Sequence, residues 1–471
     1  MLATAAPTTS SPTLGFQTLE EETVIARLQL RGELPRWLSG SLLRTGPAKF
    51  EVGAGSMRHW FDGLAMLHRF TVADGTVSYG NRFLEGHSYR AARERGAIAY
   101  GEFATDPCRS LFKRVQSVFS PALSDNANVN VGRLGERYVA LTETPIPVEF
   151  DAHTLETAAV APYRAPGQLS TAHPHMDRGS GGMLNYAAKL GGSSSYRFFL
   201  LEPGASEPRV LGGLPVKHPA YMHSFGLTER WLVLAEFPFV VNPLSLALSG
   251  RPYIENYRWQ PERGTRFTLI DRRSGEASSG FQTDACFAFH HVNSYEDAGE
   301  VVVDVCAYPD AGIVEDLYLE RLRAGKPAAE AALTRFRLYL AEKSVGSERL
   351  SDTGLELPRI NYGRCNERPY RYVWGAGTGP SGFLESVVKV DTRDGSARSW
   401  WQSGCYAGEP VFVARPEATE EDDGVLLSVV LDAAAERSFL LVLDAACLQE
   451  IARAEVPHHI PFGFHGQFAS S

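Results

Sequence analysis

From about residue 16 onwards the chain repeats one local pattern, in which short runs of β-branched and aromatic residues alternate with clusters of Gly, Pro, Asp and Asn. Runs of this kind predict β-strands, and the clusters between them predict turns. Clear runs occupy residues 137–142, 197–202, 231–237, 266–271, 300–305, 424–430 and 438–443. So many short strands exceed what one sandwich contains. We therefore expect an all-β fold, a propeller of roughly seven blades at about 40 to 50 residues each.

Two stretches interrupt the strand pattern. Residues 313–324 carry apolar side chains at helical spacing and are followed by Gly325, which predicts a helix that ends there. Residues 107–122 mix apolar with basic side chains, which predicts an amphipathic helix. Such a helix either lies on a membrane surface or packs on the propeller itself.

The N-terminal residues and the cysteines bear on domain limits and location. Residues 1–15 are rich in Ala, Thr, Ser and Pro and have no signal-peptide pattern, so we expect a mobile tail followed by one domain over 16–471. Apolar runs are shorter than the roughly 20 residues that span a bilayer. The six cysteines occur singly, which is typical of free thiols in a reducing compartment. We therefore expect a cytoplasmic protein whose membrane contact, if it has any, is peripheral.

The charge balance disfavours one class of partner. The formal net charge is −9, whereas nucleic-acid binding depends on clustered Lys and Arg. Apolar residues make up 44% of the chain and charged residues 21%, which is enough material for a large core. We expect a globular protein that does not bind nucleic acid.

Four of the thirteen histidines have unusual neighbours. They stand beside aromatic or small residues, next to predicted strand starts: His173, His223, His290 and His465. Their separations of about 50, 67 and 175 residues are too long for a helical or finger-type zinc site. The spacing suits one metal ligand per blade, directed at the propeller axis.

Several motifs make the chain resemble the carotenoid cleavage oxygenase family over nearly its whole length. They are LLRTGP at 42–47, HWFDG at 59–63, the contexts of the four histidines, and FGFHG at 462–466. The resemblance implies a seven-bladed β-propeller with a small helical cap over the iron entrance. It also implies one ferrous ion, Fe(2+), held by the four histidines, with dioxygen as co-substrate. Residues 106–109 and 124–131 resemble the animal branch, which includes β-carotene-cleaving oxygenases and the isomerohydrolase of the retinal pigment epithelium.

The family pattern also selects between neighbouring histidines. A ligand three positions before an asparagine is typical of the family, and Asn293 therefore selects His290 over His291. The family ligand that precedes a proline selects His173, although His175 shares its strand face.

Carboxylates are expected beside the ligands, because a metal-bound imidazole usually donates its second N–H to one. The candidates are Glu143, Glu356 and Glu409, which lie in apolar or turn-like surroundings. The resemblance implies that they serve His223, His290 and His465 and that His173 has no carboxylate partner.

The residues that flank these motifs are mostly apolar. They form a candidate tunnel for a hydrophobic polyene, although core packing would explain them equally: Phe61, Phe103, Tyr221, Phe289, Leu357 and Phe464. Thr142 matches a family threonine near the open iron position and joins the four histidines in the candidate catalytic set. Cys108 corresponds to a cysteine proposed as a lipid attachment point in the animal branch.

The sequence therefore predicts a non-haem iron dioxygenase that cleaves a C=C bond of a carotenoid or apocarotenoid into aldehyde or ketone products. One alternative is an isomerohydrolase, in which the iron acts on a retinyl ester without consuming oxygen. Another is a stilbene-cleaving dioxygenase, which would need a Tyr and Lys pair that we do not identify. A third is a propeller that binds partners and carries metal only for rigidity.

Overall fold

The computed structural model describes residues 11–106, 123–160 and 163–470. The predicted amphipathic helix at 107–122, including Cys108, lies outside these ranges. The strands in the first half of the chain are β1 Thr23–Ile25, β2 Gln29–Gly32, β3 Gly40–Lys49, β4 Glu51–Val52, β5 Gly55–Ser56, β6 Leu64–Ala73, β7 Thr76–Phe83, β8 Asn130–Leu134, β9 Arg137–Leu141, β10 Val148–Phe150, β11 Thr157–Val160, β12 Leu169–Ser170, β13 His175–Met176, β14 Met183–Lys189, β15 Ser195–Leu201, β16 Arg209–Pro215, β17 Gly226–Leu227 and β18 Trp231–Glu236.

The second half contributes an equal number of strands: β19 Phe239–Val241, β20 Tyr257–Trp259, β21 Thr265–Asp271, β22 Ala277–Thr283, β23 Phe287–Asp297, β24 Glu300–Tyr308, β25 Ala332–Tyr339, β26 Ser344–Arg349, β27 Glu356–Arg359, β28 Tyr372–Thr378, β29 Leu384–Asp391, β30 Ala397–Trp401, β31 Cys405–Ala407, β32 Val411–Ala414, β33 Gly424–Asp432, β34 Arg437–Asp444, β35 Glu450–Glu455 and β36 Gly466–Ser470.

Helices are short and few in the described part of the chain. The α-helices are α1 His87–Arg95, α2 Pro243–Leu248, α3 Gly312–Asp316, α4 Leu319–Arg323 and α5 Tyr362–Cys365. The 3₁₀ turns are Pro12–Phe16, Trp60–Asp62, Ile254–Asn256 and Pro261–Arg263. None of these helices is long and apolar enough to cross a bilayer.

The strands form seven antiparallel sheets of four to six strands, which are the seven blades of a β-propeller. Five blades are continuous in sequence: β8–β11, β12–β16, β17 and β18 with β21 and β22, β23–β26, and β27–β30. The sixth joins β2 to β31–β35, and the seventh combines β36 with β1, β3, β6 and β7. Pairing of β3 with β36, with Arg44 opposite Gly466, closes the ring. The predicted fold is confirmed.

Blade strands are apolar on both faces because each sheet packs between two neighbouring sheets. In β24 four valines are fully buried: Val301, Val302, Val303 and Val305. The sequence therefore shows near-continuous apolar runs there instead of simple alternation. Each of the seven runs that we selected from the sequence coincides with a strand, and three of them, 137–142, 197–202 and 231–237, extend one residue beyond its end.

The prediction of one continuous helix at 313–324 is wrong. The structure has two short helices, α3 and α4, separated at Leu317 and Tyr318. Leu317 O accepts from Trp60 N at 3.1 Å, and Leu319 N donates to Arg58 O at 2.9 Å. These bonds to a neighbouring segment replace helical ones, so tertiary pairing overrides a helical apolar pattern.

The predicted tail is also wrong for its last residues. Residues 12–16 form a 3₁₀ turn whose last residue, Phe16, is fully buried. Its ring packs on Trp60, Phe383 and Phe462, with centroids 5.1 to 5.7 Å away. Residues 1–10 lie outside the described part of the chain.

Candidate metal centre and adjoining cavity

The four selected histidines come together from four different blades. His173 lies between β12 and β13, His223 precedes β17, His290 belongs to β23, and His465 directly precedes β36. One ring nitrogen of each lies within 4.8 Å of the others. The Nε2 atoms of His173 and His223 are 3.0 Å apart, and those of His290 and His465 are 3.1 Å apart.

Three of the rings are held by a carboxylate on the opposite nitrogen. His223 Nδ1 lies 2.7 Å from Glu143 Oε1, and His465 Nδ1 lies 2.6 Å from Glu409 Oε1. His290 Nδ1 contacts Glu356 Oε2. These are the pairs that the resemblance implied. Within the described ranges no carboxylate is hydrogen-bonded to His173.

These contacts determine which nitrogen carries the proton. Burial would raise the pKa of Glu356, but the neighbouring His290 outweighs burial and holds this pKa below its usual range. Burial would also raise the pKa of Glu409, but Arg359 and His465 outweigh it, so this pKa too lies below its usual range. An ionised carboxylate only accepts hydrogen bonds, so the Nδ1 atoms of His290 and His465 must donate. With both rings in the neutral form that a metal ligand needs, their Nε2 atoms each present a lone pair, and a cation between them would stabilise the separation of 3.1 Å.

The spacing of the nitrogens fits such a cation. Imidazole nitrogens bind first-row metals at about 2.1 Å. Two of them at a right angle are about 3.0 Å apart, whereas tetrahedral ligands are about 3.4 Å apart. The observed 3.0 and 3.1 Å match right angles, which suit an octahedral ion better than a tetrahedral zinc.

Burial favours the neutral form of His173, His223 and His465, the form that metal ligands must have. It lowers the pKa of His465 to about 4, although Glu409 opposes the effect. The pKa of His223 is also lowered by burial, against the influence of Glu143. For His173 burial and the three neighbouring rings act together, so its pKa lies well below the ordinary value.

A backbone irregularity in β27 contributes to two of the histidine–carboxylate pairs, His290 with Glu356 and His465 with Glu409. Leu357 has a positive φ of 51°, rare for a leucine, and the pairing of β27 with β28 shifts register between Glu356 and Arg359. This backbone directs Glu356 to His290 and Arg359 to Glu409. Arg359 Nε and Nη2 donate to the Glu409 oxygens at 2.8 and 3.0 Å.

A cavity of about 220 Å³ adjoins the rings. Its wall includes His223, His290, His465 and the predicted residues Thr142, Phe61, Phe103, Phe289, Leu357 and Phe464. Further apolar side chains come from other blades and from α3: Trp60, Tyr308, Ile313, Leu317, Phe383 and Leu384. An apolar cavity beside convergent polar groups is the usual form of a small-molecule site.

The HWFDG motif builds one side of this cavity. Asp62, fully buried, accepts from His59 N at 2.9 Å and Ala104 N at 2.8 Å, which locks the turn to the neighbouring segment. Trp60 Nε1 donates to Phe462 O at 2.9 Å. The motif therefore positions Trp60 and Phe61 on the cavity wall.

Tyr221 is the exception among the predicted tunnel residues, because it does not line the cavity. It packs behind Phe103 and Phe289, with ring centroids 5.9 and 6.3 Å away, and its hydroxyl donates to Glu143 Oε1 at 2.6 Å. An aromatic residue two positions before a ligand suggested a tunnel wall. The segment before β17 instead directs it to the carboxylate that holds His223.

The competing histidines lie elsewhere. The ring of His175 contacts the Tyr362 hydroxyl at 2.9 Å and Phe225 O at 3.1 Å. His291 Nδ1 lies 2.8 Å from Ser224 Oγ. Neither belongs to the group of four.

Sequence reasoning missed several contributors to the site. Arg359 binds Glu409, and Tyr308 and Val129 lie on the cavity wall. The residue type of Tyr308 and Val129 suits any buried strand, so no sequence signal separates them from the core. Arg359, three positions after Glu356 and next to Pro358, offered a weak signal as a lone charge in an apolar stretch.

Comparison with known proteins gives a consistent set of matches. The family model described as "RPE65: Retinal pigment epithelial membrane protein" matches residues 16–470. The carotenoid isomerooxygenase of Galleria mellonella is 36% identical, over 95% of this chain and 94% of the relative. The β,β-carotene 15,15'-dioxygenase of Mus musculus is 34% identical, over 96% of this chain and 90% of the relative. The crystal structure of cobalt-substituted Synechocystis ACO is similar with a TM-score of 0.86 and 27% identity, covering 98% of this chain and all of that one (100%).

Proposed function

The chain belongs to the carotenoid cleavage oxygenase family, and on that premise we propose that it is an iron-dependent dioxygenase. It cleaves a carbon–carbon double bond of a carotenoid or apocarotenoid and releases aldehyde or ketone products. The observation that carries the proposal is the convergence of four imidazoles, each with one ring nitrogen within 4.8 Å of the others, in a geometry that suits a metal ion. The names of the relatives, which include carotenoid dioxygenases, support the substrate class.

We propose ferrous iron as the metal. Imidazoles alone accept iron, copper, nickel or zinc, but the right-angled spacing argues against tetrahedral zinc. His173, His223, His290 and His465 would hold the ion. When bound, iron supplies the activation of dioxygen that protein side chains lack.

The protein's own residues orient the ligands and the substrate. Glu143, Glu356 and Glu409 hold three imidazoles with Nδ1 protonated, so that Nε2 stays free for the metal. The aromatic walls, among them Phe61 and Phe464, confine a polyene beside the rings and exclude water. Thr142 lies on the same wall, where it influences what occupies the space next to the metal.

The test is aerobic incubation of the iron-loaded protein with carotenoids, apocarotenoids and stilbenes, followed by mass identification of the products and measurement of dioxygen uptake. Aldehyde products with matching dioxygen uptake support the proposal. Turnover of a retinyl ester without dioxygen uptake would favour the isomerohydrolase, and cleavage of stilbenes alone would favour the stilbene enzyme. Binding of partners that persists in an inactive, metal-free protein would favour the partner-binding propeller.

We also propose that the protein is cytoplasmic and that it touches membranes peripherally, through residues 107–122 and through α2. Leu244 and Leu248 of α2 are 65% and 75% exposed, and they stand four positions apart on one helix face. Apolar side chains exposed in this way favour the interfacial region of a bilayer. The double substitution Leu244→Ser, Leu248→Ser should reduce cosedimentation with phospholipid vesicles. Val24→Ser, at an equally exposed apolar site on β1, is the matched control.

A further inference from the structure

Polar side chains are unevenly distributed around the cavity. Residues 101–103, 123–129 and 142–144 place Glu102, Ser124 and Thr144 on one part of its wall. Residues 313–331 and 382–384 contribute only apolar side chains and glycine to the lining. A purely hydrocarbon ligand would offer this polar part of the wall no hydrogen bond, whereas a ligand with an oxygen atom could form one there.

Two carboxyl groups lie on this polar part, Glu143, which is bound to His223, and Glu102, which holds no histidine. Its Oε1 accepts from Ser124 Oγ at 2.8 Å, and Ser124 O accepts from Thr144 Oγ1 at 2.6 Å. These bonds fix the carboxyl on the wall. The side chain of Asn126 is a second hydrogen-bond partner of the carboxyl.

The surroundings of the carboxyl favour its protonated, neutral form. Burial raises the pKa of Glu102 well above its usual range, and the nearby carboxylates of Asp62 and Asp125 add to the effect. A neutral carboxyl has one O–H to donate. The Ser124 hydroxyl donates to Oε1, and Glu102 lines the cavity, so the O–H of the protonated carboxyl can donate to a group bound there.

We propose, on the basis of the proposed function, that Glu102 determines specificity by hydrogen bonding to an oxygen of the substrate. The favoured substrates are then polyenes with a hydroxyl or carbonyl group, and an oxygen-free hydrocarbon of equal length binds less well. The apolar side of the cavity, with Ile313, Leu317 and Phe383, receives the hydrocarbon part. Glu102 touches substrate without holding the metal.

The experiment measures equilibrium binding to the metal-free protein through quenching of tryptophan fluorescence, since Trp60 lies on the cavity wall. The probes are an apocarotenol, the corresponding apocarotenal, and a hydrocarbon of the same polyene length. Glu102→Leu should weaken binding of the two oxygenated probes by about tenfold and leave the hydrocarbon within about twofold. Glu102→Gln should restore most of the affinity, because its amide also donates. In turnover, Glu102→Leu should raise KM for the oxygenated substrate with little change in kcat.

The control is Glu94→Leu, the same substitution at an exposed position of α1, which should change none of these affinities. Equal weakening of all three probes by Glu102→Leu, or no weakening, overturns the role of Glu102. If that variant does not fold, Ser124→Ala, which releases the carboxyl, should lose the same discrimination, and an unchanged preference overturns the inference. A wild-type protein that neither binds nor cleaves any polyene refutes the proposed function itself.

Discussion

Replacement of Glu409 by glutamine tests two roles of this carboxylate: it is the counter-ion of Arg359, and it orients the ring of His465. Glu409 is fully buried and accepts four hydrogen bonds, from Arg359 at 2.8 and 3.0 Å, from His465 at 2.6 Å and from Gly466 N at 2.9 Å. Glutamine has one acceptor oxygen, and its amide N–H groups face donors. The Arg359 charge is left without its counter-ion.

The expected loss follows from these contacts. Breaking one side of a buried ion pair costs about 3 to 5 kcal/mol, and because the Arg359 side chain is 20% exposed we expect about 3 kcal/mol. A ligand that loses its orienting carboxylate typically weakens metal binding by about 10- to 100-fold. Glu409→Gln should therefore lower both the free energy of unfolding and the affinity for iron.

Glu143→Gln is the matched control, because Glu143 holds His223 and the Tyr221 hydroxyl without any arginine. It should weaken iron binding by a similar factor but cost only about 1.5 to 2 kcal/mol of stability. Urea denaturation of the metal-free proteins measures stability, and competition with a chelator measures iron affinity. Equal losses of stability in the two variants would refute the role given to Arg359, and wild-type iron affinity in Glu409→Gln would refute the orientation argument.

Three further outcomes are expected. His173→Ala should abolish retention of iron while His175→Ala retains it, as metal analysis after gel filtration would show; the reverse result would mean that the wrong histidine was selected. Burial lowers the pKa of His59 and of His68 from 6.5 to about 3, so the native state binds fewer protons than the unfolded chain between these pH values. Acidification below pH 6.5 should then cost up to about 1.4 kcal/mol per pH unit for each ring, and His68→Gln should flatten the dependence of the urea midpoint on pH. Phe16→Ala should lower the free energy of unfolding by about 3 to 5 kcal/mol, whereas a mobile residue would show no loss.

The blades were predictable because their strands depend on local patterns. The valines of β24 and the aliphatic run of β33 indicate strands in any context, since both faces are buried. The break at Leu317 was not predictable, because it depends on hydrogen bonds to Arg58 and Trp60, far away in the chain. The spacing of apolar residues indicates which face of a segment is buried. It does not indicate which other segment forms backbone hydrogen bonds with it.

The residues of the candidate site also fall into some that the sequence predicted and others that it did not. His173 and His465 were found through motifs that resemble a family, and residue spacing alone would not have brought them together. The position of Tyr221 behind the wall was missed because the segment before β17 is irregular, and no periodic pattern indicates where its side chains point. The contact between Arg359 and Glu409 follows a backbone irregularity at Leu357, whose φ is positive. A leucine in the sequence does not indicate a positive φ.

The seam that closes the ring joins β3 to β36, and His465 is the residue immediately before β36. A bound ion would therefore hold the ring closed, because it would connect this seam to three other blades. Transient separation of the two strands would free one of the four donors, so the rate at which iron escapes should report how often the ring opens. Loss of the metal and the first step of unfolding would then be a single event.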